Sequence, residues 1–156
     1  MAYRVFFSHS GKDGAWTKYI AERAKALGVE AYLYEHDPQP GQLIAGKVKQ
    51  AIARADALVV MLTKDGQGSP YVQQEIGFAE AKGKLIVPLV EPGVNENGLA
   101  MLQGREYIPF DLKNPAPALA SLLNYLTRLK TSKEESQSAF AFLGLLVGIA
   151  WLGSTK

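Results

Sequence analysis

Residues Ala57 to Leu62 read ALVVML, six apolar residues in a row with no charge among them. A strand that is apolar on both faces belongs inside a sheet covered on both sides, not in a sheet with one wet face. Its flanks agree. Upstream, Leu43, Val48, Ile52 and Ala55 keep a helical period. Downstream, a loop over Lys64 to Gly68 leads to Ser69-Pro70. Ser69 fits a helix N-cap and Pro70 the first helical position, of a helix running to about Lys82 and closed by Gly83. Lys84 to Val90 (KLIVPLV) is a second apolar run, in which Pro88 points to an edge position or a strand end.

The alternation continues to both ends of the chain. Tyr3 to Ser8 reads as a strand, Gly11 to Gly14 as a turn, and Ala15 to Ala26 as a helix with Trp16, Tyr19, Ile20, Ala24 and Leu27 on one side. Gly28 suits the C-cap. Val29 to Tyr34 is a strand, followed by a loop holding Pro38, Pro40 and Gly41. Beyond a loop over Glu91 to Gly98 come a short strand, Arg105 to Phe110, and a helix, Pro115 to Lys130, whose inner face carries Leu119, Leu122, Leu123, Leu126 and Leu129. This order predicts an α/β domain with a five-stranded parallel sheet, right-handed crossovers and helices on both faces. Ligands of such sheets bind outside the carboxyl ends of the strands, here the loops starting at Ser8, Tyr34, Leu62 and Val90.

Composition removes several kinds of chemistry. The chain has 156 residues, the size of one domain, and no cysteine, so thiol nucleophiles, disulfides and cysteine-ligated metals are excluded. Two histidines, His9 and His36, make a multi-histidine metal centre a poor expectation, and no metal site is expected. A formal charge of +2, evenly spread, does not suit a nucleic-acid binder. The apolar run at Ala2 to Phe7 contains Arg4 and ends at Ser8, so it does not form a signal-peptide core. SHSGKDG after the first strand is not a dinucleotide fingerprint, and no P-loop, HExxH or GxSxG occurs.

Four segments in register are more specific: RVFFSHSGKDG at Arg4, YEHDPQPGQLI at Tyr34, ALVVMLT at Ala57 and SPYVQQEIGFAEAKGKLIVPLV at Ser69. Together they resemble the TIR (Toll/interleukin-1 receptor) domain family, in particular its bacterial branch, over about residues 3 to 130. The resemblance implies a flavodoxin-like parallel sheet. It also implies cleavage of NAD+ at the nicotinamide-ribose bond, giving nicotinamide and ADP-ribose or a cyclic ADP-ribose, with NAD+ as substrate and no cofactor. It implies oligomerisation through TIR-TIR contacts as the trigger, in bacterial anti-phage immune signalling. The family's catalytic glutamate falls on Glu75, and its usual tryptophan four residues earlier is Tyr71 here. Ser8, His9 and Ser10 fall where the family contacts the nucleotide, although His9 and Ser10 depart from the tyrosine or arginines common there. Asp37, with Pro40 and Gly41, matches the loop that covers the family's pocket. Ser69 is an N-cap first and a ligand contact second. Lys12 stands near the same strand end as a point charge for a pyrophosphate.

The residue types suit this chemistry. Nicotinamide leaves a pyridinium ribose as a neutral molecule, so its departure needs no general acid. The protein must stabilise an oxocarbenium-like ribose, which one carboxylate does. Tyr71 and Glu75, four apart, share a helix face. The alternatives are a non-catalytic TIR adaptor acting through domain contacts, and an enzyme related to nucleoside deoxyribosyltransferases. Glu75 with its neighbouring aromatic favours an enzyme over the adaptor, and SPYVQQE with the Pro-Gly loop favours TIR over the transferase.

The C-terminal end stands apart. Ala139 to Gly153 (AFAFLGLLVGIAWLG) has no charge, and the uncharged stretch extends from Ser136 to Thr155, 20 residues in all. About 20 apolar residues span a bilayer. Trp151 resembles an interfacial anchor, and Gly144 with Gly148 forms a small-xxx-small pair. Arg128, Lys130 and Lys133 before the segment, against Lys156 after it, would hold the domain in the cytoplasm. The sequence therefore divides into a TIR domain (1–130), a charged linker (131–138) and an apolar helix (139–153) that is a candidate inner-membrane anchor. Burial against the domain or a partner is the alternative.

Overall fold

The structure, a computed structural model, describes residues 2–34 and 46–153, apart from the side chains of 96 and 148–153. Five strands, β1 (Arg4–Ser8), β2 (Glu30–Leu33), β3 (Ala57–Leu62), β4 (Leu85–Val90) and β5 (Ile108–Pro109), alternate with helices α1 (Gly14–Ala26), α2 (Gly46–Arg54), α3 (Pro70–Ala81), α4 (Glu96–Leu99) and α5 (Ala116–Gly153). All pairings are parallel, in the order β2-β1-β3-β4-β5. This is the α/β sheet with helices on both faces expected from the sequence.

The period-two alternation of the strands divides the core into two layers. Val5 and Phe7 of β1, Val59 and Met61 of β3, and Leu89 of β4 face one side, packed against Ile20 and Ala24 of α1 and Leu122 and Leu126 of α5. Phe6, Leu58, Val60, Leu62 and Ile86 face the other, against Val48 and Ile52 of α2 and Val72, Ile76 and Ala79 of α3. All six residues of β3 are buried, as the ALVVML run requires.

Pro88 sits inside β4, between β3 and β5, and not in an edge strand. The Val90 carbonyl accepts from Phe110 of the β5 side, so Pro88, two residues earlier, faces the same flank. β5 pairs only with Leu89 and Val90. The missing N–H of Pro88 therefore falls beyond the end of β5, where no ladder bond is lost.

Two further differences concern the C-terminal half. The stretch after Glu91, read as irregular, contains α4 and a 3-10 turn over Ala100–Leu102, and β5 is only two residues long. α5 runs through residues 131–138 and the apolar stretch as one helix. Charge reads as a linker by hydropathy, but Lys130 and Glu134 pair at 3.1 Å one turn apart and hold the helix. Lys133 Nζ bonds both oxygens of Asp56 at 2.9 and 3.0 Å and the Ala2 carbonyl at 3.0 Å. This fixes α5 to the N-terminal ends of the strands. Farther on, Phe140, Phe142, Leu143, Leu145, Leu146 and Val147 are exposed, Phe140 to 77%. Among the described residues no helix is long and apolar enough to cross a membrane.

Candidate functional site

α1 covers one face of the sheet and α3 the other, so the chain leaves the neighbouring strands β1 and β3 in opposite directions. Their C-terminal ends form the switch point, the place where open parallel sheets bind ligands. Glu75 stands there, in the second turn of α3. Ser8 ends β1, and strand alternation turns it to the same face as Phe6, toward α3. Its hydroxyl donates to Glu75 Oε2. Ser8 and Glu75 are each 0% exposed.

α3 is set by its start. Gly68 takes a left-handed φ of 85°, and the Ser69 Oγ then accepts from the Val72 N–H at 3.5 Å, with Pro70 in the first turn. That start places Tyr71 half-buried one turn before Glu75. Ser69 thus holds the N-cap expected of it.

Asp13, after β1, is a second buried carboxylate, and the sequence alone gives it no role beyond a turn. Asp13 Oδ1 accepts from the Thr63 hydroxyl at 2.7 Å and Oδ2 from the Ser10 hydroxyl at 3.1 Å. Its carbonyl accepts from Thr17 Oγ1 at 2.8 Å. Thr63 Oγ1 in turn accepts from the Gly66 N–H at 2.9 Å. Burial pushes the Asp13 carboxyl above its ordinary 3.8, against the opposing effect of the Thr63 and Ser10 hydroxyls and the His9 ring. This network ties the loop after β1 to the loop after β3. A sequence cue exists only in the three-residue spacing of Ser10 and Asp13, which suits a side-chain-bonded turn.

His9 is buried, with Nδ1 2.6 Å from the Ser10 carbonyl. A carbonyl only accepts, so Nδ1 carries a hydrogen, and in the neutral tautomer Nε2 is then the acceptor. Nε2 is buried and has no hydrogen-bond partner among the described residues. Glu91 follows β4 and ties it to the loop after β3. Its carboxylate accepts from the Lys64 N–H at 2.7 Å, and its own N–H donates to the Leu62 carbonyl at 2.9 Å.

The structure thus gathers Ser8, His9, Ser10, Ser69, Tyr71 and Glu75 at one end of the sheet. The hydroxyls of Ser8 and Ser10 are both donated to carboxylates. Lys12 is exposed nearby, and Asp37 lies outside the described residues. Among the described residues no group of three or more His, Cys, Asp or Glu could hold a metal ion. A cavity of about 980 Å³ lies elsewhere, toward the N-terminal ends of β1 and β2 beside α2, with Arg4, Tyr32 and Arg54 in its wall. It is lined by none of the residues gathered at the switch point, and a carboxylate there outweighs volume as a sign of chemistry.

Fold and site together define a flavodoxin-like parallel domain with a buried carboxylate at its switch point. The sequence profile of the TIR domain matches residues 5–123, and the chain belongs to that family. Its fold is similar to the RPS4 and RRS1 TIR domain heterodimer (8% identity, 84% of this chain and 99% of that one, TM-score 0.62). It is also similar to the CMP N-glycosidase BcmB of Clostridium botulinum (24% identity, 76% and 97%, TM-score 0.52). A flavodoxin-like domain from Synechococcus sp. matches at 12% identity over 86% and 99%, TM-score 0.55. No curated protein sequence matches the chain.

Proposed function

We propose that this TIR domain is an NAD+ glycohydrolase in which Glu75 is the catalytic carboxylate. The observation that carries the reading is the placement of Glu75, on α3 at the β1/β3 switch point and one helical turn after Tyr71. In the proposed step the bond between ribose C1′ and the nicotinamide nitrogen breaks, and its electron pair leaves with the ring as neutral nicotinamide. The Glu75 carboxylate stabilises the positive charge on the ribose. Water then attacks C1′ and releases a proton to give ADP-ribose, or a nitrogen of the same nucleotide attacks to give a cyclic product. Tyr71 offers a ring for the ribose or nicotinamide to stack on, and the His9 Nε2 offers an acceptor for a sugar hydroxyl. An N-glycosidase on a similar fold is in keeping with chemistry at such a bond.

Glu75 has no exposed surface in the single chain. Substrate entry therefore requires a neighbour to move, which supports activation by assembly through TIR-TIR contacts. In this reading the apolar end of α5 gathers the copies by anchoring them in the cytoplasmic face of a bilayer, which raises their local concentration. The biological setting is anti-phage immune signalling. Incubation of concentrated or liposome-bound protein with NAD+, with chromatography of the products, tests the activity. Release of nicotinamide supports it, and none in any assembly state leaves the adaptor reading in its place.

A further inference from the structure

We propose that Ser8 is a positioning residue for Glu75, holding the carboxylate for the ribose without touching the substrate. This rests on the catalytic reading of Glu75. A serine at the end of the first strand of such a sheet invites assignment to the nucleotide phosphates. The geometry points elsewhere. A hydroxyl has one proton, and that of Ser8 is donated to Glu75 Oε2, leaving no donor for a phosphate. The side chain is 0% exposed, so substrate does not reach it without unpacking β1.

The support for the hydroxyl is rigid. β1 is flanked by β2 and β3, and Ser8 is in register with Val60 of the fully buried β3. A glutamate has three side-chain torsions, and a donor fixed on a central strand restricts the plane its carboxylate adopts. A hydrogen bond to a charged acceptor is also stronger than one between neutral groups. Loss of this bond leaves the carboxylate present but with a less defined plane toward the reacting carbon, so the effect falls on the chemical step and not on binding.

The test measures nicotinamide release by the full chain, in the assembly state that activates the wild type, for Ser8→Ala, Ser8→Cys, Ser8→Thr and Glu75→Ala. Ser8→Ala and the near-isosteric Ser8→Cys are expected to lower kcat about 10- to 100-fold with KM unchanged. Ser8→Thr, which keeps the hydroxyl, restores most of the loss. Ser8→Cys carries the test if Ser8→Ala does not fold. A raised KM with intact kcat in either variant assigns Ser8 to the substrate and overturns the proposal, as does wild-type kcat in both. These outcomes are separate from failure of the functional reading, which shows as no release by the wild type or full activity in Glu75→Ala.

Discussion

Thr63, immediately after β3, donates its hydroxyl to Asp13 Oδ1 at 2.7 Å, joining loops that are 50 positions apart in the chain. With the Ser10 bond to Oδ2 it holds a carboxylate in a site where burial disfavours charge. The folded chain binds the Asp13 proton more tightly than the unfolded chain does. The contribution of this group to stability is therefore fully present below 3.8 and is lost as pH rises through the raised value. Asp13→Asn removes the charge and keeps an acceptor. It should gain stability relative to the wild type as pH rises through that window and hold the gain at neutral pH. Asp13→Ala orphans the two hydroxyls and should lose about 1–3 kcal/mol. Urea unfolding across pH checks both, and parallel wild-type and Asp13→Asn curves would contradict the assignment.

Gly66 packs directly over the same network. A Cβ at this position would collide with the Asp13 carboxylate and the Ser10 hydroxyl. Gly66→Ala is expected to destabilise by about 1–3 kcal/mol. The cost should be smaller when measured in an Asp13→Ala background, where the nearer of the two colliding groups is gone, so the two changes are not additive. Equal costs in the two backgrounds would mean that the collision does not set the requirement for glycine.

Lys133 should matter more to the fold than its charged surroundings suggest. It bonds Asp56 twice and the Ala2 carbonyl, while Asp56 also accepts from the Arg4 N–H at 2.8 Å. Both side chains are only 26% exposed. Lys133→Met is expected to cost about 1–3 kcal/mol and to speed amide exchange at Arg4. Lys130→Met, which loses the more exposed pair with Glu134, should cost less than about 0.5 kcal/mol. Chemical unfolding of the two variants ranks them, and equal losses would refute the anchoring role.

The sheet was legible because its central strands are short apolar runs and α3 carries a start signal, Ser69-Pro70. What escaped depended on long-range geometry. Pro88 argued for an edge, yet an interior strand accepts it because β5 is too short to reach its flank. Residues 131–138 read as a charged linker, yet they continue the helix, Glu134 pairs with Lys130 one turn back, and Lys133 bonds the Ala2 carbonyl before β1. At the site, Glu75 was reached through the SPYVQQE segment. The engagement of Ser8 with Glu75, and of Ser10 with Asp13, depends on residues 67 positions apart in one case and on burial in the other. No local pattern encodes the first, and only the three-residue spacing of Ser10 and Asp13 points to the second.

The apolar end of α5 should be dispensable for folding and needed for assembly. Residues 140, 142, 143 and 145 to 147 are exposed, so removing 139–156 takes little from the core. The shortened protein should melt as the full chain does while losing membrane association on carbonate extraction of cells. Full-length protein released into the soluble fraction by carbonate would contradict the anchor.

The central claim is that Glu75 cleaves the nicotinamide-ribose bond. The most direct measurement is nicotinamide release from NAD+ by assembled full-length protein beside an equally folded Glu75→Ala variant. Loss of one catalytic carboxylate should lower the rate at least about 100-fold, with the melting temperature of the variant reported alongside. Equal release by the two proteins would contradict the account.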